Sequence, residues 1–186
     1  MQSEILIQTL LEQTKRIINQ AEKLQTYDLE KLIRREDETS WNILECLEHL
    51  NLYGDFYLPQ IERKIKNSDT KPDFEFKSGI LGNYFSKIIL PKEKLNKMKT
   101  FKDKDPFNTN LNKTVISRFI NQQNKLLELL NQSGKVSLNK VKIQISISSL
   151  IKLKLGDTFQ FYVNHMIRHL NQIDRIEKLN PYKQLN

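Results

Sequence analysis

The chain has 186 residues, 28% of them charged and 38% hydrophobic, and a net charge of +8 at pH 7. This length suffices for one domain, 1–186, with a core that needs no disulfide or metal. No run approaches the roughly 18 apolar residues of a membrane span, and the start MQSEILIQTLLEQTKRI lacks the basic region of a signal peptide. The single cysteine, Cys46, excludes an intramolecular disulfide and fits a reducing compartment. We therefore expect a cytoplasmic protein with no membrane partner.

The positive charge raises the question of nucleic-acid binding, because clustered lysines and arginines displace phosphate counterions. The excess is mostly lysine and lies in two stretches, 90–106 and 140–156, and acidic residues interrupt the first of them. No helix-turn-helix, RNA-binding or zinc-finger signature is present. The pattern indicates a solvated, lysine-rich surface and no specific nucleic-acid partner.

The first half of the chain predicts two long helices. Apolar residues recur at three- and four-residue steps over about Glu4–Leu24, which is typical of an amphipathic helix. A second helix is expected to start after Thr39 or Ser40, either of which is a good N-cap. Pro59 falls inside this second helix and removes one backbone donor, so we expect a kink or break over 57–59.

A long connection, about Asn67–Leu111, follows the second helix and contains three prolines. These are Pro72, Pro91 and Pro106. We expect a short helix around Ile80–Ile89 within it. Connections of this length are uncommon unless they cross the domain or shape a site. We interpret this one as a crossover that lets two central helices run parallel.

Two more helices and an extended segment are predicted in the second half. The third helix spans about Asn112–Asn131, and Gly134 ends it. Residues 141–148 alternate between apolar and polar, which indicates an extended segment. The fourth helix is expected to begin at Asp157, with Asp157 and Gln160 as a capping box, and to end at Pro181. The predicted class is all-α, with four long helices.

All three histidines of the chain fall on the second and fourth predicted helices. His165 and His169 are four residues apart, so they project from one helix face at neighbouring levels, a spacing at which two imidazoles can share a metal ion. His49 on a facing helix would complete a three-histidine site with an open position, which suits catalysis better than structural support. For His49 taken alone, a hydrogen-bonded core or rim residue is the simpler interpretation.

Two segments resemble the DinB/YfiT-like family of metalloenzymes. One is SWNILECLEHL at 40–50, and the other is LKLGDTFQFYVNHMIRHLNQIDRI at 153–176, which contains H-x-x-x-H-x-x-Q-I. The resemblance implies an up-down-down-up four-helix bundle in which His49, His165 and His169 bind a divalent metal. It also implies S-transferase or isomerase activity with a low-molecular-weight thiol. Relatives often form dimers through bundle faces, so a homodimer is compatible with the apolar first helix.

Three neutral imidazoles leave a bound ion its full charge, which lowers the pKa of a water or thiol ligand. The ligand-field order favours Ni²⁺ or Zn²⁺ at such a site, with Mn²⁺ or Fe²⁺ as alternatives. We therefore expect a metal-dependent enzyme, either a thiol-dependent S-transferase or a hydrolase, acting on a small-molecule substrate. The alternatives are a non-catalytic metal-binding bundle and, less favoured, a basic nucleic-acid-associated domain.

Some neighbours of the histidines are weaker candidates for a role in the site. Glu45 and Gln172 are placed to accept the free N–H of His49 and His169, although each is expected first as a solvated helix residue. Arg168 is expected at the surface, with contact to an anionic substrate as the alternative.

Three further neighbours are expected to have no chemical role. We interpret Tyr53 and Tyr162, each one turn from a histidine, as core packing. Cys46 is close enough to be a fourth ligand, but a small buried hydrophobe is the preferred interpretation.

Overall fold

The computed structural model describes residues 1–90 and 100–179. The helices are α1 (Ser3–Gln25), α2 (Leu29–Leu32), α3 (Ile43–Lys66), α4 (Ile80–Ile89), a 3-10 helix (Lys102–Lys104), α5 (Thr114–Ser133) and α6 (Leu155–Glu177); the strands are β1 (Lys142–Ile145) and β2 (Ser148–Lys154). The described chain is thus mostly helical and also contains a small antiparallel sheet. None of its helices has the length and apolar character that crossing a membrane requires.

Periodicity located α1 and α5 well, and the prediction of a short helix over Ile80–Ile89 is confirmed by α4. The predicted start of α3 is wrong. Its N-cap is Asn42, whose side-chain oxygen accepts from the Glu45 N–H at 2.9 Å while the Glu45 carboxylate accepts from the Asn42 N–H at 2.9 Å. Thr39 and Ser40 instead bond Asp37 in the preceding turn.

The helix α3 runs without a break through Pro59. The sequence predicts a kink or break over 57–59 because proline removes one helical hydrogen bond, and the break is absent. Leu58 and Ile61 on either side are both buried in the core. Their burial holds the helix together across the missing bond.

The predicted start of α6 is also wrong, because the helix begins two residues earlier, at Leu155, after Lys154 as N-cap. The Asp157 side chain is fully buried and does not cap its own helix. Its carboxylate accepts from the backbone N–H of Gly79 at 3.0 Å and from the Ser78 hydroxyl, and Gly79 is the N-cap of α4. Asp157 therefore anchors α4 to α6. The helix α6 ends at Glu177, and Pro181, at which its end was predicted, lies outside the described residues.

The extended segment before α6 is a hairpin rather than a single strand. Lys142 pairs with Lys154, and Ile143 with Leu153, in antiparallel register. Ile143 and Ile145 are buried, so the alternation that predicted β1 reflects its packing on the core. Leu150 in β2 is 91% exposed, so the second strand shows no comparable pattern.

The packing of the long helices brings the histidine-bearing segments together. Both α1 and α3 pack against α5 and against α6, while α4 packs against α6 and β2. The 3-10 helix packs against α3. In its described part, the long connection therefore supplies two pieces, α4 and the 3-10 helix, that flank the α3–α6 pair.

Candidate metal centre

The three histidines meet between α3 and α6. The Nε2 atom of His165 lies 3.2 Å from Nε2 of His49 and 3.1 Å from Nε2 of His169. All three side chains are buried, and their candidate ligand atoms lie within 4.8 Å of one another. The structure therefore brings together the three residues that the sequence singled out, and α3 supplies the third imidazole to the pair on α6.

Hydrogen bonds on the far side of two rings set their protonation. Nδ1 of His49 lies 2.7 Å from the main-chain oxygen of Lys104, and Nδ1 of His169 lies 3.1 Å from Oε1 of Gln172. An oxygen acceptor requires the hydrogen on Nδ1, so Nε2 of each ring is left with a lone pair. Gln172, expected first as a solvated helix residue, makes the contact with His169 that was given as the alternative.

Glu45 is neither the solvated helix residue that was expected first nor the partner of His49 that was given as the alternative. Glu45 is fully buried and accepts two hydrogen bonds from the Arg35 guanidinium, at 2.6 and 2.8 Å, and one from the Asn108 N–H at 2.7 Å. The carbonyl of Lys104 takes the place expected for Glu45. Sequence reasoning missed Lys104 because every residue carries a carbonyl, so side-chain identity holds no signal for this role.

Burial keeps the imidazoles neutral. Removal from water lowers the pKa of His49 to about 4, against an ordinary value of 6.5. The pKa values of His165 and His169 are also well below the ordinary range, first because both rings are buried and then because of the neighbouring histidines. All three rings therefore present neutral nitrogen donors at pH 7.

The three Nε2 atoms carry too few hydrogens to satisfy all of their lone pairs, which is the arrangement expected of a cation-binding site. Two lone pairs, those of His49 and His169, face Nε2 of His165, which can carry at most one hydrogen and direct it at one of them. At least one lone pair then has no donor. A divalent ion between the three nitrogens would satisfy all of them, and imidazole nitrogen is a ligand type that Zn²⁺ and Ni²⁺ prefer. The residues present therefore fit such an ion.

Aromatic rings hold the imidazoles from the side. The Trp41 ring lies 4.7 Å from the His49 ring and 5.7 Å from that of His169, between centroids. His165 is held by Tyr53, at 4.6 Å, and by Phe161, at 5.8 Å. The Nδ1 atom of His165 is buried with no hydrogen-bond partner in the described part of the chain, so this ring is oriented by aromatic packing and by its Nε2 contacts within the cluster.

Two of the weaker candidates behave as expected. Cys46 is buried, burial raises the pKa of its thiol, and it is not part of the histidine cluster. Tyr162 is likewise fully buried in the core.

The cluster opens into a cavity of about 440 Å³. Its walls include Tyr53, which was expected only in the core. They also include Arg168, which was expected at the surface but is 9% exposed. The cavity places a binding volume directly beside the three imidazoles.

Comparison with protein families agrees with this site. The model that describes the DinB superfamily matches residues 10–173, a range that includes all three histidines, the whole of the first resembling segment and residues 153–173 of the second. No curated protein and no solved structure matches the chain. Because the matched range covers most of the 186 residues, the chain belongs to the DinB superfamily.

Proposed function

We propose that this protein is a metal-dependent enzyme in which His49, His165 and His169 hold one divalent ion. The observation that carries the proposal is the convergence of three Nε2 atoms, two of them fixed as lone-pair donors by Lys104 and Gln172. Zn²⁺ or Ni²⁺ is the favoured ion, ahead of Mn²⁺ or Fe²⁺. When bound, the ion supplies a positive charge that lowers the pKa of a water or thiol ligand toward neutrality.

The reaction class that we propose is thiol-dependent S-transfer, with hydrolysis as the alternative. Superfamily membership supports this class, and the cavity supplies room for a small molecule beside the imidazoles. Burial raises the pKa of Tyr53 to about 12, so its hydroxyl keeps its proton at pH 7. Tyr53 can then donate a hydrogen bond to a substrate in the cavity but does not act as a base.

The architecture and setting belong to the same proposal. The mutual packing of α1, α3, α5 and α6 supports a four-helix bundle, for which we propose the up-down-down-up order and a single domain over 1–186. The buried, unpaired Cys46 is compatible with the cytoplasm. A homodimer and a low-molecular-weight thiol partner are proposed on the resemblance alone.

An activity screen tests the reaction class. Metal-loaded and metal-stripped protein would be mixed with glutathione, bacillithiol or coenzyme A and a panel of halogenated acceptors. In the expected transfer, the thiol sulfur bonds to the electrophilic carbon, the halide leaves with its bonding electrons, and the thiol proton passes to solvent. We expect a rate above the stripped control for at least one pair. If no pair exceeds the control, and ester and amide hydrolysis is also absent, the protein is a non-catalytic metal-binding bundle.

A further inference from the structure

The cavity beside the histidines is chemically different at its two ends. Along α6, its walls are formed in order by Phe161, the histidine pair with Arg168, then Gln172 and Arg175. An α-helix rises about 1.5 Å per residue, so Phe161 lies roughly 6 Å before His165 and Arg175 roughly 9 Å beyond His169. The imidazoles therefore stand between an apolar end and a polar end of one cavity.

The polar end is made by two elements. Arg168, Gln172 and Arg175 line it from α6, and Glu36 and Asp37 line it from the segment between α2 and α3. Charges of both signs meet there. This end suits a hydrated or hydrogen-bonding group rather than a hydrocarbon.

The apolar end, which we call the apolar arm, is formed by Phe85, Ile147 and Phe161. They come from α4, the hairpin turn and α6, and the rings of Phe85 and Phe161 meet edge to face at 6.5 Å. The same three residues line a further space of about 30 Å³, together with Tyr57, Ile145, Ser146 and Leu153. No charged side chain lines this further space. Ser146 also has its backbone N–H bonded to the Tyr57 hydroxyl at 3.2 Å, so its amide is already satisfied.

An apolar arm next to a metal-binding cluster restricts the substrate. A phosphate or sugar placed there would lose its water and find only the Ser146 and Tyr57 hydroxyls, which already contact each other, so its burial is unfavourable. A hydrocarbon would gain free energy from leaving water. Ile147 is 46% exposed although it is a large apolar side chain in a turn, so it offers a surface that a ligand can cover.

We infer that the substrate carries an alkyl or aryl group that binds against Phe85, Ile147 and Phe161, and that this contact places the substrate's reacting atom beside the histidines. The inference deepens the proposed function and rests on it for the identity of the reactive end. The arm is tested at Phe85 and Ile147, neither of which is a candidate metal ligand. An experiment can therefore show that the proposed role of the arm is wrong without contradicting the proposed metal site, and the reverse.

A series of alkyl hydroxamates of increasing chain length tests whether the apolar arm binds the hydrocarbon part of a ligand. The hydroxamate group chelates a metal ion, while the chain length varies from acetohydroxamate to octanohydroxamate. Titration calorimetry on the full-length, Zn²⁺-loaded protein would give a dissociation constant for each member. Burying one methylene is worth about fourfold in affinity, so the constants should fall by about that factor per carbon until the arm is full.

Two substitutions in the same hairpin give the matched comparison. Ile147→Asp places a carboxylate at the arm, and Leu150→Asp makes the same change at a 91% exposed position that does not line the cavity. In Ile147→Asp, we expect the affinity to stop increasing with the chain length of the hydroxamate. In Leu150→Asp, the increase with chain length should be the same as in wild type. The affinity for acetohydroxamate should be unchanged in both variants. Phe85→Ala, which shortens the arm without adding charge, should reduce the slope as well.

The outcomes separate the two proposals. If wild type binds acetohydroxamate tightly but longer hydroxamates no more tightly, the proposed role of the apolar arm is wrong and the metal site stands. If the protein holds no metal, saturation-transfer NMR of the metal-free protein would measure binding of benzyl alcohol to the apolar arm. A signal that Ile147→Asp abolishes and Leu150→Asp preserves supports the arm, and equal signals from both variants overturn it.

Discussion

Nδ1 of His49 lies 2.7 Å from the main-chain oxygen of Lys104, which joins the histidine cluster to the 3-10 helix of the long connection. The next residue, Asp105, accepts from the Trp41 indole N–H at 3.2 Å and from the Phe107 N–H at 3.1 Å. Trp41 itself packs on His49. The Lys104 carbonyl that orients His49 therefore lies next to Asp105, which the Trp41 indole holds by a hydrogen bond. Trp41 thus contacts the His49 ring and also fixes the backbone that orients this ring.

We expect Asp105→Ala to weaken metal binding by about tenfold, because outer contacts of this kind are typically worth 10 to 100-fold in metal affinity. Trp41→Phe keeps a packed ring and removes the indole N–H, so it should have a smaller effect in the same direction. Competition with a chromogenic chelator measures both. Asp103→Ala is the control, since Asp103 lies in the 3-10 helix that Asp105 follows, but its side chain is 70% exposed and pairs with the Lys104 ammonium. Equal affinities for the Asp105 and Asp103 variants would contradict this role.

Glu45 is expected to matter for stability rather than for metal binding. Its side chain is fully buried, pairs with Arg35, and caps α3 through Asn42. Removal of one partner from a buried ion pair is strongly destabilising, so Glu45→Ala should lower the free energy of unfolding by about 3 kcal/mol. Urea denaturation measures the change.

A second ion pair on α3 serves as the control for Glu45. The Glu62 side chain is 46% exposed and pairs with Lys125. Because exposed pairs contribute less than about 1 kcal/mol, Glu62→Ala should have little effect. Comparable losses of stability in the two variants would show that burial of Glu45 is not the cause.

The buried histidines predict how the stability of the metal-free protein depends on pH. The folded-state pKa of His49 is about 4, below the ordinary value of 6.5 that applies to the unfolded chain. The unfolded state therefore binds more protons between these values. The stability from the neutral ring is fully present above about pH 6.5 and is lost as the pH falls toward 4. Each such histidine contributes a slope of at most about 1.4 kcal/mol per pH unit.

Urea denaturation of the metal-free protein at several pH values between 7 and 4.5 gives this slope. His49→Gln removes one titrating group and should make the dependence shallower. The remaining slope then reports the other two histidines and the carboxylates. An unchanged slope in His49→Gln would show that the pKa of His49 is the same in the folded and unfolded states, which would contradict the lowered value.

We expect the fold to persist without metal. The core formed by α1, α3, α5 and α6 is large and apolar, and the histidines occupy only one part of the α3–α6 contact. A core of this size supports folding by itself, whereas a zinc finger unfolds without its ion. Circular dichroism should show the same helical signal before and after chelation, with a lower Tm for the stripped protein. Complete loss of helical signal would mean that the metal is structural.

Sequence patterns predicted what depends on local periodicity and missed what depends on tertiary contact. Periodicity located α1 and α5 and placed the histidine pair on α6. Thr39 and Asp157 are good caps by residue type, yet neither caps the helix predicted for it. The capping box of α3 forms at Asn42, and the Asp157 carboxylate binds the N-terminus of α4 instead. The roles of Lys104 and Phe85 come from the path of the long connection. No short-range pattern encodes that path.

Metal content is the most direct test of the three-histidine site. Protein purified without a histidine tag would be loaded, desalted and measured by elemental analysis alongside the single variants His49→Ala, His165→Ala and His169→Ala. Tyr53→Phe is the control, because it changes a ring that packs on the cluster without offering a ligand atom. We predict one divalent ion per chain in the wild type and in Tyr53→Phe, and loss of the ion in each histidine variant. Full occupancy in His165→Ala or His169→Ala would contradict the site.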